Sequence, residues 1–258
     1  MQPVQTVNSE NKFRELLGSP KEYKRKRYDM NLAIVLSGGS GTRLGASIPK
    51  QYIEVAGKPI IVYCLEALQM SDDIDEVCVV AAPEWTENIK KWAYSYGITK
   101  LVGCAAGGPS RQHSIKNGLE YFVNKGKCAG CRVLIHDAAR PNLTGTLIKR
   151  CMEGLEGFDG VLPALPVKDT VYYSNDGKSI TRLLERSCLF AGQSPESFDL
   201  EKYWQINKDL TDEELMAVTG TSQIAFECGL NIAIVDGDEN NYKITTAADL
   251  EKFEESKR

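Results

Sequence analysis

Short apolar runs alternate with amphipathic segments along most of this chain. The pattern predicts strands over 32–36, 76–82, 100–103, 132–136 and 160–165, and helices over 59–70, 84–95, 110–124 and 144–155. Strands that alternate with helices in this way form a mostly parallel sheet that is covered on both faces. The sequence therefore predicts a doubly wound, Rossmann-like α/β fold, in which ligands bind beyond the carboxyl ends of the strands.

Two segments depart from this alternation. Residues 170–186 place two β-prone runs around a turn at 174–177, which predicts a projecting β-hairpin arm. A two-stranded hairpin is marginally stable alone, so we expect this arm to pack against a second subunit. Residues 1–30 are polar and end in a basic run at 24–27, and we expect a flexible tail there, outside a single domain over 31–258.

Composition narrows the classes of function. With 258 residues, of which 42% are hydrophobic and 26% charged, the chain can bury the core of one large domain. A formal net charge of −4 argues against general binding to nucleic acid or to a membrane surface. No apolar run approaches the roughly 18 residues of a membrane span. The eight dispersed cysteines resemble no disulfide framework, and we expect a cytoplasmic protein.

The strongest candidate for chemistry follows the first predicted strand. It consists of Ser37, Gly38, Gly39, Ser40, Gly41, Thr42 and Arg43, with Lys50 shortly after. The glycines allow main-chain N–H groups to close on phosphate oxygens, while the two cations add charge. An ordinary strand-to-helix turn is the alternative interpretation.

Spacing excludes two better-known phosphate loops. A Walker loop ends in Gly-Lys-Ser/Thr, but here the nearby Gly57-Lys58 runs into Pro59. A dinucleotide fingerprint needs a third glycine where Leu44 stands. The loop therefore indicates a nucleoside triphosphate site of another kind.

A second glycine pair precedes the helix predicted over 110–124. Gly107 and Gly108 lead into it, and Arg111 and Ser114 lie within a turn of its amino terminus, where N–H donors point outward. The segment is either a plain helix start capped by Ser110 or a seat for a ribose or base edge.

The strand over 132–136 ends in a carboxylate and a guanidinium. Asp137 and Arg140 either form an ion pair with each other or face an anionic substrate, because the arginine fork suits phosphate.

Together with later motifs, these segments resemble the 2-C-methyl-D-erythritol 4-phosphate cytidylyltransferases. The resemblance spans about 31–254 and rests on motifs at 37–43, 49–51, 107–114, 136–141, 166–170, 193–195 and 241–245. Ribitol-5-phosphate cytidylyltransferases are similar over the same span. Both families imply transfer of CMP from CTP to a polyol phosphate, with pyrophosphate leaving, and a homodimer with exchanged arms.

The resemblance also implies roles for individual residues. Mg²⁺ would be held mainly by the CTP phosphates, with Asp137 a further ligand. Catalysis would fall to Arg43 and Lys50, which grip the triphosphate, and to Lys243 at the α-phosphate. Cytidine would be seated by Gly107, Gly108, Arg111 and Ser114, with the first glycine loop around the phosphates. The polyol phosphate would face Asp137 and Arg140, joined by Thr170 and Arg186 from the partner's arm.

Two departures keep the polyol open. Residues 219–222 read Thr-Gly-Thr-Ser, where the erythritol-phosphate enzymes usually show Thr-Asp-Glu/Asp-Ala. The segment 192–198 favours the ribitol type, whereas 136–141 favours the erythritol type. We expect 2-C-methyl-D-erythritol 4-phosphate as the substrate, with ribitol 5-phosphate as the alternative. A nucleotide-binding protein without turnover is a weaker alternative, because the cations expected for catalysis, Arg43, Lys50 and Lys243, are all present.

Overall fold

The computed structural model describes residues 28–39 and 48–258, and the alternation of strands and helices predicted from the sequence is confirmed there. The strands are β1 (Met30–Leu36), β2 (Glu54–Val55), β3 (Lys58–Pro59), β4 (Glu76–Ala81), β5 (Leu101–Ala106), β6 (Cys131–Asp137), β7 (Gly160–Pro166), β8 (Tyr172–Tyr173), β9 (Arg182–Leu183), β10 (Phe190–Gly192), β11 (Glu196–Asp199) and β12 (Ile232–Asp236). The helices are α1 (Ile60–Met70), α2 (Thr86–Ser95), α3 (Arg111–Val123), α4 (Gly145–Glu153), α5 (Leu200–Lys208), α6 (Asp212–Ala217), α7 (Thr221–Glu227) and α8 (Ala247–Glu255).

One mixed sheet forms the centre of the fold, and its strand order is β10-β7-β11-β6-β1-β4-β5, with β12 paired to β7. Strands β6, β1, β4 and β5 are parallel neighbours, while β11 runs antiparallel between β6 and β7. The central β1 therefore carries its loop to the same edge of the sheet as β4, β5 and β6. The predicted α/β architecture is confirmed.

Hydrophobic cores cover both faces of the sheet, as the strand period of two requires. Ala33 and Val35 of β1 face the core formed with α1, α2 and α4. Leu32 and Ile34, which alternate with them, face the core formed with α3, α5 and α7. A strand buried on both faces has no freedom to slip in register, so its carboxyl end is held in place.

The hairpin predicted over 170–186 is present, although only β8 and β9 pair within it. It extends from the sheet with its side chains exposed, and Tyr172 and Leu183 show 56% and 63% of their surface to solvent. Of the predicted tail, only residues 28–30 are described. The Cζ atom of Arg132 lies 3.9 Å from the centre of the Tyr28 ring, and Met30 begins β1. The remaining tail residues, 1–27, lie outside the described residues.

Helix α3 approaches the sheet closely at Gly118, and we predict that Gly118→Ala destabilises the fold. A Cβ there would lie 2.8 Å from the Ile34 Cγ2 atom and 2.9 Å from the Val80 Cγ2 atom. This overpacking outweighs the better helix propensity of alanine, and we expect the free energy of unfolding to fall by about 1 to 2 kcal/mol.

Urea denaturation measures the effect, with Gly145→Ala as the matched control. Gly145 also lies in a helix, but its added Cβ would meet no atom within 4 Å. We expect the control to be unchanged or more stable by up to about 1 kcal/mol. Equal stability of the two variants would contradict the close approach of α3 to the sheet.

Candidate active site

A cleft of about 760 Å³ opens at the carboxyl ends of β1 and β6. Its lining brings together residues from five separated stretches of the chain, including Gly38, Gly39, Lys50, Gly108, Arg111, Ser114, Asp137 and Lys243. These residues are among those that the sequence predicted for one site. The expectation that the loops after the first and fourth predicted strands share a site is therefore met by the described residues.

The start of the first glycine loop is held by side chains that follow it. Gln51 Nε2 donates to the carbonyl oxygens of Ser37 and Gly39, at 2.7 and 2.9 Å. Ser37 Oγ donates to the hydroxyl of Tyr52 at 2.8 Å. Burial raises the pKa of Tyr52 to about 12, so this phenol stays neutral. The rest of the loop, including Gly41, Thr42 and Arg43, lies outside the described residues.

The second glycine pair and the start of α3 form the opposite wall. Ser110 caps α3 by accepting a hydrogen bond from the His113 N–H group. The sequence predicted this cap under the interpretation of the segment as a plain helix start. Ser114 Oγ accepts from the Gly108 N–H group at 3.0 Å. A Cβ on Gly108 would lie 2.3 Å from the His113 Cβ, so glycine is required there. A Cβ on Gly107 would lie 3.6 Å from the Gly38 Cα, so the two glycine loops run close together.

Asp137 lies at the centre of the charges in the cleft. Its Oδ1 accepts from Arg111 Nε and Nη2 at 3.2 and 3.1 Å, and its Oδ2 accepts from Lys243 Nζ at 2.8 Å. Burial raises the pKa of this carboxyl, but the charges of Arg111 and Lys243 outweigh burial and hold the pKa well below its usual range. The ion pair between Asp137 and Arg140 that the sequence offered as one interpretation is therefore not what the described residues show: Asp137 pairs with Arg111 and Lys243 instead.

Two cations tie the segment 241–245 to the cleft by its main chain. Arg140 Nη1 donates to the Asn241 carbonyl at 2.7 Å, and Lys50 Nζ donates to the Ile244 carbonyl at 2.6 Å. Lys50 lines the cleft, whereas Arg140 is not among the lining residues. The sequence placed Arg140 at the substrate, but in the structure its guanidinium holds the main chain of the segment that carries Lys243.

Thr170 and Arg186 lie on the hairpin arm, apart from the residues that line the cleft. Arg186 Nη1 donates to the Lys168 carbonyl at 2.9 Å, and Thr170 is exposed. Within one chain, the structure does not bring these residues to the other predicted site residues. The sequence placed them at the site only as a contribution from a partner's arm.

Sequence reasoning missed Glu196, which β11 places behind Arg111. Its Oε1 lies 3.7 Å from Arg111 Nη2, and its Oε2 accepts from the Ser222 N–H group at 2.8 Å. Burial raises the pKa of Glu196, and the charge of Arg111 offsets only part of that rise. The only signal in the sequence is a carboxylate after Ser194-Pro195, because the contact with Arg111 joins residues far apart in the chain.

Within the ranges 28–39 and 48–258, no group of three histidine, cysteine, aspartate or glutamate residues is placed to hold a metal ion. In the same ranges, no helix has the length and apolar character needed to cross a bilayer.

His136 should make stability pH-dependent, because it is buried beside the cleft. Its Nε2 donates to the Arg140 carbonyl at 3.0 Å, and burial lowers its pKa to about 4. In the unfolded chain the pKa is about 6.5, so between these values the unfolded state binds a proton that the folded state does not. We predict that the free energy of unfolding falls by about 3 kcal/mol as the pH drops from about 6.5 to about 4.

Urea denaturation from pH 7 to pH 4.5 checks this dependence. His136→Gln should flatten the slope, whereas His113→Gln, at the other histidine of the chain, should keep it. Parallel slopes for wild type and His136→Gln would show that the buried imidazole is not responsible.

Comparison with known proteins agrees with this geometry. The family model for 2-C-methyl-D-erythritol 4-phosphate cytidylyltransferase matches residues 31–255. The chain is 37% identical to the 2-C-methyl-D-erythritol 4-phosphate cytidylyltransferase of Rubrobacter xylanophilus, over 85% of this chain and 91% of the relative. It is 30% identical to the ribitol-5-phosphate cytidylyltransferase of Streptococcus agalactiae serotype Ia, over 87% of this chain and 94% of the relative.

Solved structures show the same fold. A crystal structure of 4-diphosphocytidyl-2C-methyl-D-erythritol synthase superimposes with a TM-score of 0.72 at 25% identity, covering 91% of this chain and all of the other. The Francisella tularensis 2-C-methyl-D-erythritol 4-phosphate cytidylyltransferase gives 0.71 at 26% identity, covering 87% and 98%. By sequence and by fold, the chain is an enzyme of the 2-C-methyl-D-erythritol 4-phosphate cytidylyltransferase family.

Proposed function

We propose that the protein transfers CMP from CTP to 2-C-methyl-D-erythritol 4-phosphate and releases pyrophosphate. The observation that carries this proposal is the cleft at the strand ends, where the glycine loops, Lys50 and the Asp137–Lys243 pair meet. Relatives named for this activity reach 37% and 33% identity, against 30% for those named for ribitol 5-phosphate.

The chemistry requires two anions to approach each other. A phosphate oxygen of the polyol phosphate attacks the α-phosphorus of CTP, and the bond to the pyrophosphate oxygen breaks. Fixed cations lower the barrier by neutralising charge, and the walls of the cleft hold attacker and leaving group in line. The attacking phosphate is already ionised, so the proposed reaction needs no general base. Lys50, Lys243 and, outside the described residues, Arg43 would supply the charge.

The nucleotide would lie between the two glycine loops. Gly38 and Gly39 leave room for phosphates near the main chain, and the amino terminus of α3 favours negative charge. Gly107, Gly108, Arg111 and Ser114 would seat the cytidine. Ser37 and Gln51 hold the first loop in position for this contact.

Mg²⁺ is proposed as the cofactor and would be held mainly by the triphosphate oxygens. The donor set fits this arrangement, because Asp137 is the one carboxylate among the described lining residues and both its oxygens already accept from cations. Mg²⁺ in such sites takes one or two carboxylates plus substrate phosphates. When bound, it would neutralise charge on the phosphates, and the protein's cations would do the rest.

A homodimer is proposed, with each arm completing the partner's site. Tyr172, Ile180, Leu183 and Phe190 show between 47% and 68% of their surface on and beside the arm, which suits packing against another subunit. Thr170 and Arg186 would thereby reach the polyol phosphate. We also propose a cytoplasmic location, which the free state of all eight cysteines supports.

Ribitol 5-phosphate is the second candidate substrate. It is favoured by the segment Ser194-Pro195-Glu196 and by Gly220 and Thr221, which stand where the erythritol-phosphate enzymes usually carry acidic residues. These residues lie around Arg111 at one end of the cleft.

Pyrophosphate release from CTP, measured against a panel of polyol phosphates, tests the function. We expect the highest kcat/KM with 2-C-methyl-D-erythritol 4-phosphate, and a kcat about 100-fold lower in Lys243→Ala, because a fixed charge at the transition state is lost. Lys252→Ala is the matched control. Lys252 lies on α8, is exposed and stands over the Tyr242 ring, so its loss should leave kcat unchanged. Preference for ribitol 5-phosphate would establish the second candidate, and no release with any acceptor would leave a nucleotide-binding protein without turnover.

The shared site makes a prediction about mixed subunits. Arg186→Ala should raise KM for the polyol phosphate about 10-fold while sparing CTP binding, because one phosphate contact is lost. Mixing Arg186→Ala with Lys243→Ala should restore activity that neither variant has at low polyol phosphate, since one site of the heterodimer then holds both residues.

Arg182→Ala provides the control on the same hairpin, where the guanidinium lies over the Tyr173 ring instead. A mixture of Arg182→Ala with Lys243→Ala should show no more activity than Arg182→Ala shows by itself. Failure of the Arg186→Ala mixture to regain activity, in a dimer confirmed by light scattering, would show that the arm serves its own chain.

A further inference from the structure

Glu196 is a buried carboxylate that the proposed chemistry leaves without a role. It begins β11, and only 7% of its surface is exposed. Its neighbours come from two helices: Arg111 begins α3, and Thr221 and Ser222 begin α7. It is not among the residues that line the cleft.

Every neighbour that contacts this carboxylate donates a hydrogen bond or carries positive charge. Ser222 donates from its N–H group, at 2.8 Å, and from its hydroxyl to Oε2. The Thr221 hydroxyl hydrogen-bonds to the carboxylate and accepts from Arg111 Nη1. Arg111 Nη2 lies 3.7 Å from Oε1. These donors offset part of the effect of burial, which raises the pKa of Glu196, and they suit the acceptor-only, ionised form of the carboxylate.

Arg111 is thereby held from two sides by opposite charges. Its Nε and Nη2 donate to Asp137 on the cleft side, and Thr221 and Glu196 hold Nη1 and Nη2 from behind. Asp137 in turn accepts from Lys243. Charge and hydrogen bonds therefore run from Glu196 through Arg111 and Asp137 to Lys243, which is a catalytic cation in the proposed function.

We propose that Glu196 is a positioning residue for the transfer reaction: it holds the Arg111 guanidinium so that Asp137 divides its two oxygens between Arg111 and Lys243. This inference rests on the proposed function, because Lys243 matters only if it acts on the α-phosphate. Without the charge behind it, Arg111 moves toward Asp137 and competes with Lys243 for the same carboxylate.

A purely structural role for Glu196 has a different signature. Helix α7 has Gly220 as its N-cap, which offers no side-chain acceptor, and Glu196 caps the Ser222 N–H group instead. Loss of that cap lowers stability and loosens the site as a whole. Loss of the Glu196 charge that holds Arg111 misplaces Lys243, yet makes the cleft more positive, so the affinity for CTP does not fall.

The test is Glu196→Gln, which keeps the size and can still accept from Ser222 through its amide oxygen. We expect kcat to fall about 10-fold or more, because misplaced catalytic groups cost rate, with the dissociation constant of CTP by calorimetry unchanged or lower. Ser222→Ala removes one hydrogen bond to Glu196 but leaves the charge of the carboxylate in place, and the kcat of this variant should stay within about twofold of wild type.

The matched control is Asp159→Asn, at another buried carboxylate paired with a lysine and a main-chain N–H group. Asp159 accepts from Lys202 and from the Asn231 N–H group, away from the cleft. This variant should lose stability in thermal melts while keeping kcat. In an Arg111→Lys background, Glu196→Gln should change kcat little further, since it acts through the guanidinium.

Three results would overturn the positioning role while leaving the proposed function in place. They are a kcat for Glu196→Gln within about twofold of wild type, effects that add with those of Arg111→Lys, and a weakened CTP affinity that accompanies the loss of kcat. A wild-type protein that releases no pyrophosphate with any acceptor overturns the proposed function and this inference together.

Discussion

The buried carboxylate of Asp137 is the interaction on which the site depends. It joins the end of β6 to Arg111 at the start of α3 and to Lys243 in the segment after β12. Burying this carboxylate without its cations would be costly, because an uncompensated charge would then stand in the protein interior. The positions of the two cations are therefore set by a group that is itself held at the end of a fully buried strand.

The sheet supplies the rigidity that this arrangement needs. β1 and β6 are parallel neighbours in register from Met30 to Leu36, and both are packed between hydrophobic layers. Their last residues cannot slide relative to each other without moving side chains out of both cores. The charged groups lie on loops and helix starts, but their anchoring points lie on strands, which combines a fixed frame with an open, polar cleft.

The hairpin arm, in contrast to the sheet, is not packed between hydrophobic layers. It buries little of its own apolar surface, and its pairing is limited to β8 and β9. A two-stranded hairpin of this kind is only marginally stable without further packing. A fold in which the nucleotide wall is rigid while the acceptor wall comes from a second subunit would tie complete sites to assembly.

The sequence by itself determined the order of the sheet strands and helices up to β7, without the short strands β2 and β3, and it located the glycine segments and the hairpin over 170–186, because period, turn residues and glycine spacing are local properties. It left the elements from β10 to α8 unassigned. Only the tertiary structure decided that Asp137 pairs with Lys243, 106 positions away, that Lys50 binds a carbonyl 194 positions away, and that Glu196 lies behind Arg111. Such contacts depend on strand register and on how α3 and α7 pack, and these follow from the fit of the whole core rather than from any local pattern of residues.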